Sequence, residues 1–321
     1  MTATAIVVTH NSAGQIGESL AALRGSGASV RVVDNASTDR TAALVRHDHA
    51  DVWFESNATN VGFARAVNQA LHGTSSDVVI LVNPDCVTPA ETVRGLVGHL
   101  REHPGVGVAG PRLLGAGGET AISAHPFETL ASVVASRFGG SLLPVAVRRH
   151  LGGKNHRRAF DASMGAATAA SGPVAVDWLS GACLAVRGDL LRELGGLDER
   201  YCLYYEDEDL CLQVRSRGYE VVLLPQLQAV HIGGASSQPG ATWPHLYRSM
   251  LIFFGRHRRS SYQLVRLAVL VRAVLGLGLA QTRRILRRSS AEPRFRAWRD
   301  IAAIALAMSR PSEDGGLACE C

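Results

Sequence analysis

The chain has 321 residues, enough to bury a sizeable core as one large α/β domain or as one domain with a helical appendage. Hydrophobic residues make up 46% and charged residues 19%, a balance that excludes an intrinsically disordered chain. The net charge of +5 rests on arginine, Lys154 being the sole lysine, and the arginines crowd the stretch from Arg256 to Arg299, which points to nucleic acid, an anionic membrane surface or a plain solvated face.

Thr4-Ala5-Ile6-Val7-Val8 opens the chain as a strand with no basic leader or cleavage pattern, so no signal peptide is expected. The 6 cysteines have neither zinc nor disulfide-framework spacing, and the reducing cytoplasm is the expected compartment. Strands are predicted at 5–8, 30–33, 52–54, 78–82 and 106–109, with helices at 12–23, 38–47, 62–71 and 89–101 between them. Such alternation means right-handed βαβ units and a mostly parallel sheet flanked by helices. From Gly115 to Val174 no period holds, and this stretch reads as a long insertion over one side of the sheet. Order returns at Val176-Asp177-Trp178, followed by a helix at 189–194 and a strand at 219–224 that ends in a turn at Pro225. After His257 a helix from about Leu264 to Arg288 is predicted. On it Arg266, Arg272, Arg283, Arg284, Arg287 and Arg288 fall within about 160° of one another, opposite Leu264, Leu267, Val271, Val274, Leu275, Leu279, Ile285 and Leu286. That pattern fits a helix lying on a membrane surface and fits equally a helix packed on its own domain. No run of about twenty uncharged apolar residues occurs, so no membrane-crossing helix is expected, and no nucleic-acid recognition motif appears.

Polar residues cluster where the predicted strands end. Thr9-His10-Asn11-Ser12 follows the first strand and Asp34-Asn35-Ala36-Ser37-Thr38-Asp39 the second; both suit a base and ribose, or simply cap the next helix. There is no Gly-x-Gly-x-x-Gly turn and no Walker loop. In Asn60-Val61-Gly62-Phe63-Ala64-Arg65-Ala66-Val67-Asn68, Gly62 would let a ligand approach the backbone, with Arg65 and Asn68 one turn apart. Asn83-Pro84-Asp85 closes the strand Val78–Val82, and Pro84 stops the ladder so that Asp85 stands at the carboxyl edge, where open parallel sheets bind ligands. A carboxylate there suits a hard divalent cation carrying a diphosphate. Trp178-Leu179-Ser180-Gly181-Ala182-Cys183 precedes the acidic run Glu206-Asp207-Glu208-Asp209, whose adjacent carboxylates repel unless a cation or a tuned pKa relieves them. A solvated acidic helix start is the competing account. His231 alone reads as structural.

Together these segments resemble family-2 glycosyltransferases of the GT-A (nucleotide-diphospho-sugar transferase) fold, and within them the bacterial rhamnosyltransferase branch. The likeness covers roughly residues 4–258 and leaves 259–321 as a basic helical extension; it implies a nucleotide-binding half at 1–111, a variable insertion at 112–175 and an acceptor and catalytic half at 176–258. It implies that Asp85 binds a divalent metal (Mg²⁺ or Mn²⁺), with asparagine at Asn83 in place of the family's first aspartate and His231 as second protein ligand. It further implies Asp207 as general base beside Glu206, and donor contacts from Thr9, Asn11, Asp34, Asn35, Asn60, Gly62, Arg65, Asn83 and Asp85. Trp178 and Gly181 would line the acceptor side. The expected reaction is inverting transfer, with dTDP-L-rhamnose the first choice of donor, UDP-hexoses or UDP-N-acetylhexosamines the next, and a surface-glycan, lipid-linked or secondary-metabolite hydroxyl as acceptor. Two other classes stand beside it. A nucleotide-sugar pyrophosphorylase would need a Gly-rich basic loop that Thr9–Gly14 lacks, and a non-catalytic membrane-surface scaffold would account for the loss of an acid at Asn83.

Overall fold

The computed structural model describes residues 1–137, 172–233, 240–285 and 291–309. Residues 138–171 of the expected insertion, Leu286, Arg287 and Arg288 lie outside the described residues, as does the terminus at 310–321.

A mixed sheet is assembled from β1 (Ala3–Thr9), β2 (Ser29–Asp34), β3 (Trp53–Ser56), β4 (Val78–Val82), β5 (Cys86–Val87), β6 (Val106–Leu114), β8 (Val174–Ala175), β10 (Cys183–Arg187) and β11 (Glu220–His231). Its order is β3-β2-β1-β4-β10-β6-β11-β5, with β8 alongside β11. The first four strands run parallel. β10 enters antiparallel between β4 and β6, so its first residue, Cys183, pairs with Val82 at the last position of β4. A two-stranded pair, β7 (Ala124–His125) with β9 (Trp178–Leu179), stands apart. β4 shows why the sheet is central. All five of its aliphatic residues are buried, Val78, Ile80 and Val82 toward one face and Val79 and Leu81 toward the other.

On the first of those faces pack α1 (Ile16–Leu23), α2 (Thr41–Asp48) and α4 (Ala90–Glu102). The second face carries α3 (Phe63–Leu71), α6 (Gly188–Glu193) and α7 (Glu206–Ser216). The buried Arg187 guanidinium donates to the carbonyls of Leu100, Val106 and His103, satisfying oxygens left over where α4 ends.

Three expectations change. α1 and α2 start later than the caps suggested, at Ile16 and Thr41, because residues 10–15 and 35–40 are tied to one another as loops. Pro225 is not a terminating turn: β11 continues to His231 through a register shift against β6 between Leu224 and Gln228. A proline is tolerated at such a bulge because no ladder donor is needed there. The start of the insertion is ordered, forming β7 and α5 (Leu130–Arg137).

At the C-terminal side α8 (Trp243–His257), α9 (Tyr262–Ile285) and α10 (Ala291–Ala307) share a third apolar cluster, which also takes in Tyr201 and Tyr205. The expected boundary at 258/259 therefore falls inside one packed unit. By length and composition the helical stretch Arg259–Ile285 can cross a membrane, although Arg266 and Arg272 interrupt its apolar sequence. α9 and α10 meet so closely that a Cβ on Gly276 would stand 2.3 Å from the Trp298 ring. Gly276→Val should therefore destabilise the protein by about 1–3 kcal/mol through overpacking, read as a lowered melting temperature; an unchanged melting temperature would show that the ring can move aside.

Candidate active site

The chain switches direction between β1 and β4, and the polar segments gather at the carboxyl edge this creates. Thr9 ends β1 with its hydroxyl buried and without a partner among the described residues. Asn11, at φ 51°, is committed to the loop: its side-chain oxygen accepts from the Thr38 and Asp39 amides at 2.8 and 3.3 Å. Asp34 is buried, accepting from the Ser37 hydroxyl and amide and from the Ser56 hydroxyl. Asn35 donates to the Gly62 carbonyl at 3.1 Å and accepts from Asn57 at 2.9 Å. These three side chains, expected to read a nucleoside, make their hydrogen bonds to neighbouring loops. Gly62 adopts φ 85°, a conformation that favours glycine, and Asn60 accepts its amide at 3.0 Å. Asn68 clamps Leu197 through both its amide atoms, and Arg65 is exposed and faces Glu199 at 4.0 Å, so both lean toward the loop Gly195-Gly196-Leu197-Asp198-Glu199.

Asp85 and His231 do come together. β5 and β11 pair antiparallel with His231 opposite Cys86, and His231 Nε2 lies 3.3 Å from Asp85 Oδ1. Burial works to raise the Asp85 pKa, but the His231 hydrogen bond and charge and the backbone amides of Asp85 and Gly233 overcome it and hold the carboxyl below its ordinary range. The same hydrogen bond raises His231 against the opposing effect of burial. Among the described residues no group of three or more His, Cys, Asp or Glu side chains is arranged to hold a metal. An ionised carboxylate with a neighbouring imidazole does fit a cation whose other ligands come from a diphosphate.

The acidic run divides its four carboxylates among different surroundings. Glu206, Glu208 and Asp209 are buried, and Asp207 alone of the four keeps some exposure. Asp207 Oδ2 accepts the Gly181 amide at 3.0 Å and Oδ1 the Glu208 amide at 2.8 Å. Burial raises its pKa even so. Glu206 is pushed up to about 8 by burial and then by the Asp207 charge, and its Oε2 has no partner among the described residues. Glu208 is pushed up to about 9 by burial and then by the Glu128 charge, and accepts the Glu128 amide at 2.7 Å. Asp209 faces away from the edge, bound to His257 at 2.5 Å, Gln213 at 2.7 Å and Tyr201 at 3.2 Å. Trp178 is fixed by a 3.0 Å bond to the Pro126 carbonyl and by stacking on His125 with ring centroids 4.2 Å apart.

Sequence reasoning missed Glu128, His257 and the turn before Asp207. Tyr204 and Tyr205 hold φ of 69° and 72°, a costly pair of left-handed residues without glycine. The turn is held by Tyr205 donating to Glu128, by Tyr204 donating to Thr242 at 3.3 Å and by Ser249 donating to the Leu203 carbonyl at 2.9 Å. Only the unusual Tyr-Tyr before the acidic run could have signalled it.

Residues 4–155 match the model of Glycosyl transferase family 2. The N-acetylglucosaminyl-diphospho-decaprenol L-rhamnosyltransferase of Mycobacterium tuberculosis is 27% identical over 214 residues, a match spanning 63% of this chain and 66% of that relative. Among solved structures, the mannosyltransferase PcManGT of Pyrobaculum calidifontis, in complex with GDP-Man and Mn²⁺, aligns with TM-score 0.50 at 18% identity, covering 95% of this chain and 86% of its own. GalNAc-T7 with UDP, GalNAc and Mn²⁺ aligns with TM-score 0.55 at 14% identity, covering 82% and 50%. The GT-A fold anticipated from the motifs is the fold observed.

A pH measurement tests the carboxylate environments. The folded state keeps a proton on Glu208 up to about pH 9, whereas the unfolded chain releases it near the ordinary 4.5. Between those values the folded state binds more protons, so stability falls as pH rises. Glu208→Gln should flatten the decline in melting temperature between about pH 5 and pH 9, the interval those two values bracket; an unchanged slope would show Glu208 ionised in the folded protein.

Proposed function

From this family-2, rhamnosyltransferase-like chain with the GT-A fold, we propose an inverting, metal-dependent glycosyltransferase that moves a sugar from a nucleotide-diphospho-sugar to an acceptor hydroxyl. The observation that carries it is a backbone bridge. The Asn83 amide donates to the Ala182 carbonyl at 2.9 Å and the adjacent Gly181 amide donates to Asp207 at 3.0 Å. Two consecutive residues therefore tie the Asp85–His231 pair to the one partly exposed carboxylate of the acidic run.

In this reading the nucleoside lies over the β1 and β2 ends, bounded by Asn11, Asp34, Asn35 and Gly62, with the Thr9 hydroxyl available. Asp85 and His231 would hold Mg²⁺ or Mn²⁺, whose charge would neutralise the departing diphosphate. Asp207 takes the proton of the acceptor hydroxyl as that oxygen attacks the anomeric carbon from the face opposite the diphosphate. Its raised pKa makes it a stronger base, and a protonated Glu206 beside it spares it a second negative charge. Trp178 and Gly181 form the wall on the acceptor side.

dTDP-β-L-rhamnose is the first choice of donor and a lipid-linked diphosphate sugar the first choice of acceptor, supported by the name of the mycobacterial relative. UDP-hexoses and UDP-N-acetylhexosamines are the runner-up donors.

With donor, Mg²⁺ or Mn²⁺ and a polyprenyl-diphosphate N-acetylglucosamine acceptor, Asp207→Asn should lower kcat by roughly 10²–10⁴-fold with little change in donor KM. Asp209→Asn should instead lower the melting temperature and keep measurable turnover, because its partners are His257, Tyr201 and Gln213. The reverse pattern would move the base to Asp209. Asp85→Ala should abolish metal-stimulated donor turnover while the protein stays folded, and full wild-type activity in chelator would end the metal assignment.

A further inference from the structure

The surface of α9 is split into two unlike faces. Val265, Val269, Ala273, Gly276 and Ala280 are buried in the cluster shared with α8 and α10. Leu264, Leu267, Val271, Val274, Leu275 and Leu279 are exposed, by 43% to 62%. At 3.6 residues per turn these six share one arc, and at about 1.5 Å per residue they form a stripe roughly 22 Å long. Gly278 and Thr282 continue that arc, and no charged residue of α9 falls within it. Sequence periodicity set leucines opposite arginines without deciding which side packs; in the structure small residues pack and the leucines face outward.

Of the arginines of α9, Arg272 and Arg283 stand beside one margin of the stripe, whereas Arg266 and Arg284 lie on the far side and bond to α10. Arg272 lies over the Trp298 ring at 4.5 Å, and Arg266 donates to the Ala305 carbonyl at 2.6 Å. Arg283 and Arg284 close the helix, while Arg258 and Arg259 precede it. Against these, Glu292 and Asp300 are the only acidic residues between Arg258 and Ser309.

We propose that this stripe is a docking surface for an anionic lipid leaflet, on which α9 lies in the interface with its leucines among the acyl chains and Arg272 and Arg283 at the headgroups. Charge selects the occupant. A second copy of the chain would bring like charge against like charge, whereas anionic lipid satisfies the apolar stripe together with its one basic margin, Arg272 and Arg283, and with Arg259 before the helix. The helix lies along the surface rather than crossing, because insertion would strip Val265, Val269 and Ala273 from their core. The surface is separate from the transfer site and does not depend on the chemistry proposed there.

The test uses the full chain and sedimentation with phosphatidylcholine vesicles, with or without about 30% phosphatidylglycerol. Binding should be at least about tenfold stronger to the anionic vesicles and should fall steeply between about 0.05 and 0.5 M salt. The double variant Leu267→Glu, Leu275→Glu should keep the wild-type melting temperature, since both side chains are exposed, and lose at least about tenfold in binding. No binding to anionic vesicles at low salt, or equal binding by the double variant, overturns the proposal. So does a wild-type dimer that the double variant dissociates, which would assign the face to a second copy, or retention in vesicles through alkaline carbonate extraction, which would mean that the helix spans the bilayer. Donor hydrolysis measured without vesicles reports on the transfer site alone, so either reading can fail without the other.

Discussion

The site depends on one constraint, that β10 runs antiparallel beside β4. A parallel neighbour would begin at the opposite edge of the sheet. An antiparallel one starts where β4 finishes, so Gly181 and Ala182 arrive at the same edge as Asn83 and Asp85. Their backbone groups then serve both sides, the Ala182 carbonyl receiving the Asn83 amide and the Gly181 amide binding Asp207. A Cβ at 181 would rest in van der Waals contact with Asp207, 3.4 Å from Oδ2, so the loop passes directly against this carboxylate. A backbone amide is also a rigid donor, so the carboxylate is positioned without the rotamer entropy that a side-chain donor would lose.

β4, apolar on both faces, matches its expected limits, whereas β10, equally buried, was not anticipated and β6 runs five residues past its expected end. The carboxyl edge was legible as a place and less so as a set of roles. Asn11, Asp34 and Asn35 have the residue types of nucleoside contacts, yet their hydrogen bonds go to neighbouring loops. Sequence cannot distinguish a polar side chain that meets a ligand from one that braces the loop that does, because both need the same donors and acceptors at the same strand end. His231 shows the converse. It looked isolated because Pro225 seemed to end its strand, and only the bulge in β11 carries it back to Asp85.

The C-terminal helices were read as an appendage, and the structure makes them part of the support of the turn that precedes Asp207. Two consecutive residues at positive φ cost of order 1–3 kcal/mol each and need over-determined surroundings. Those surroundings are the Glu128 contact from the insertion, Ser249 of α8 and the Tyr205 ring against Phe253 at 5.5 Å. His257 then holds Asp209 two residues beyond Asp207. Pairings between residues 46 to 77 positions apart leave no local signature, which is why neither periodicity nor motif revealed them.

Four adjacent carboxylates at a helix start are tolerable only if they do not all share one environment. Successive side chains leave α7 about 100° apart and so meet different surroundings. Asp209 points into the helical unit, where histidine and tyrosine donors let it stay buried. Glu208 points toward Glu128, and the pressure of burial and of that second acid keeps a proton on it at neutral pH. Glu206 is driven the same way by burial and by Asp207. Asp207, with two backbone amides and some solvent, is left as the group best able to carry the negative charge at the edge. Asp207 is thus the one carboxylate of the run with two backbone donors and a share of solvent, set among acids that are held protonated or already paired.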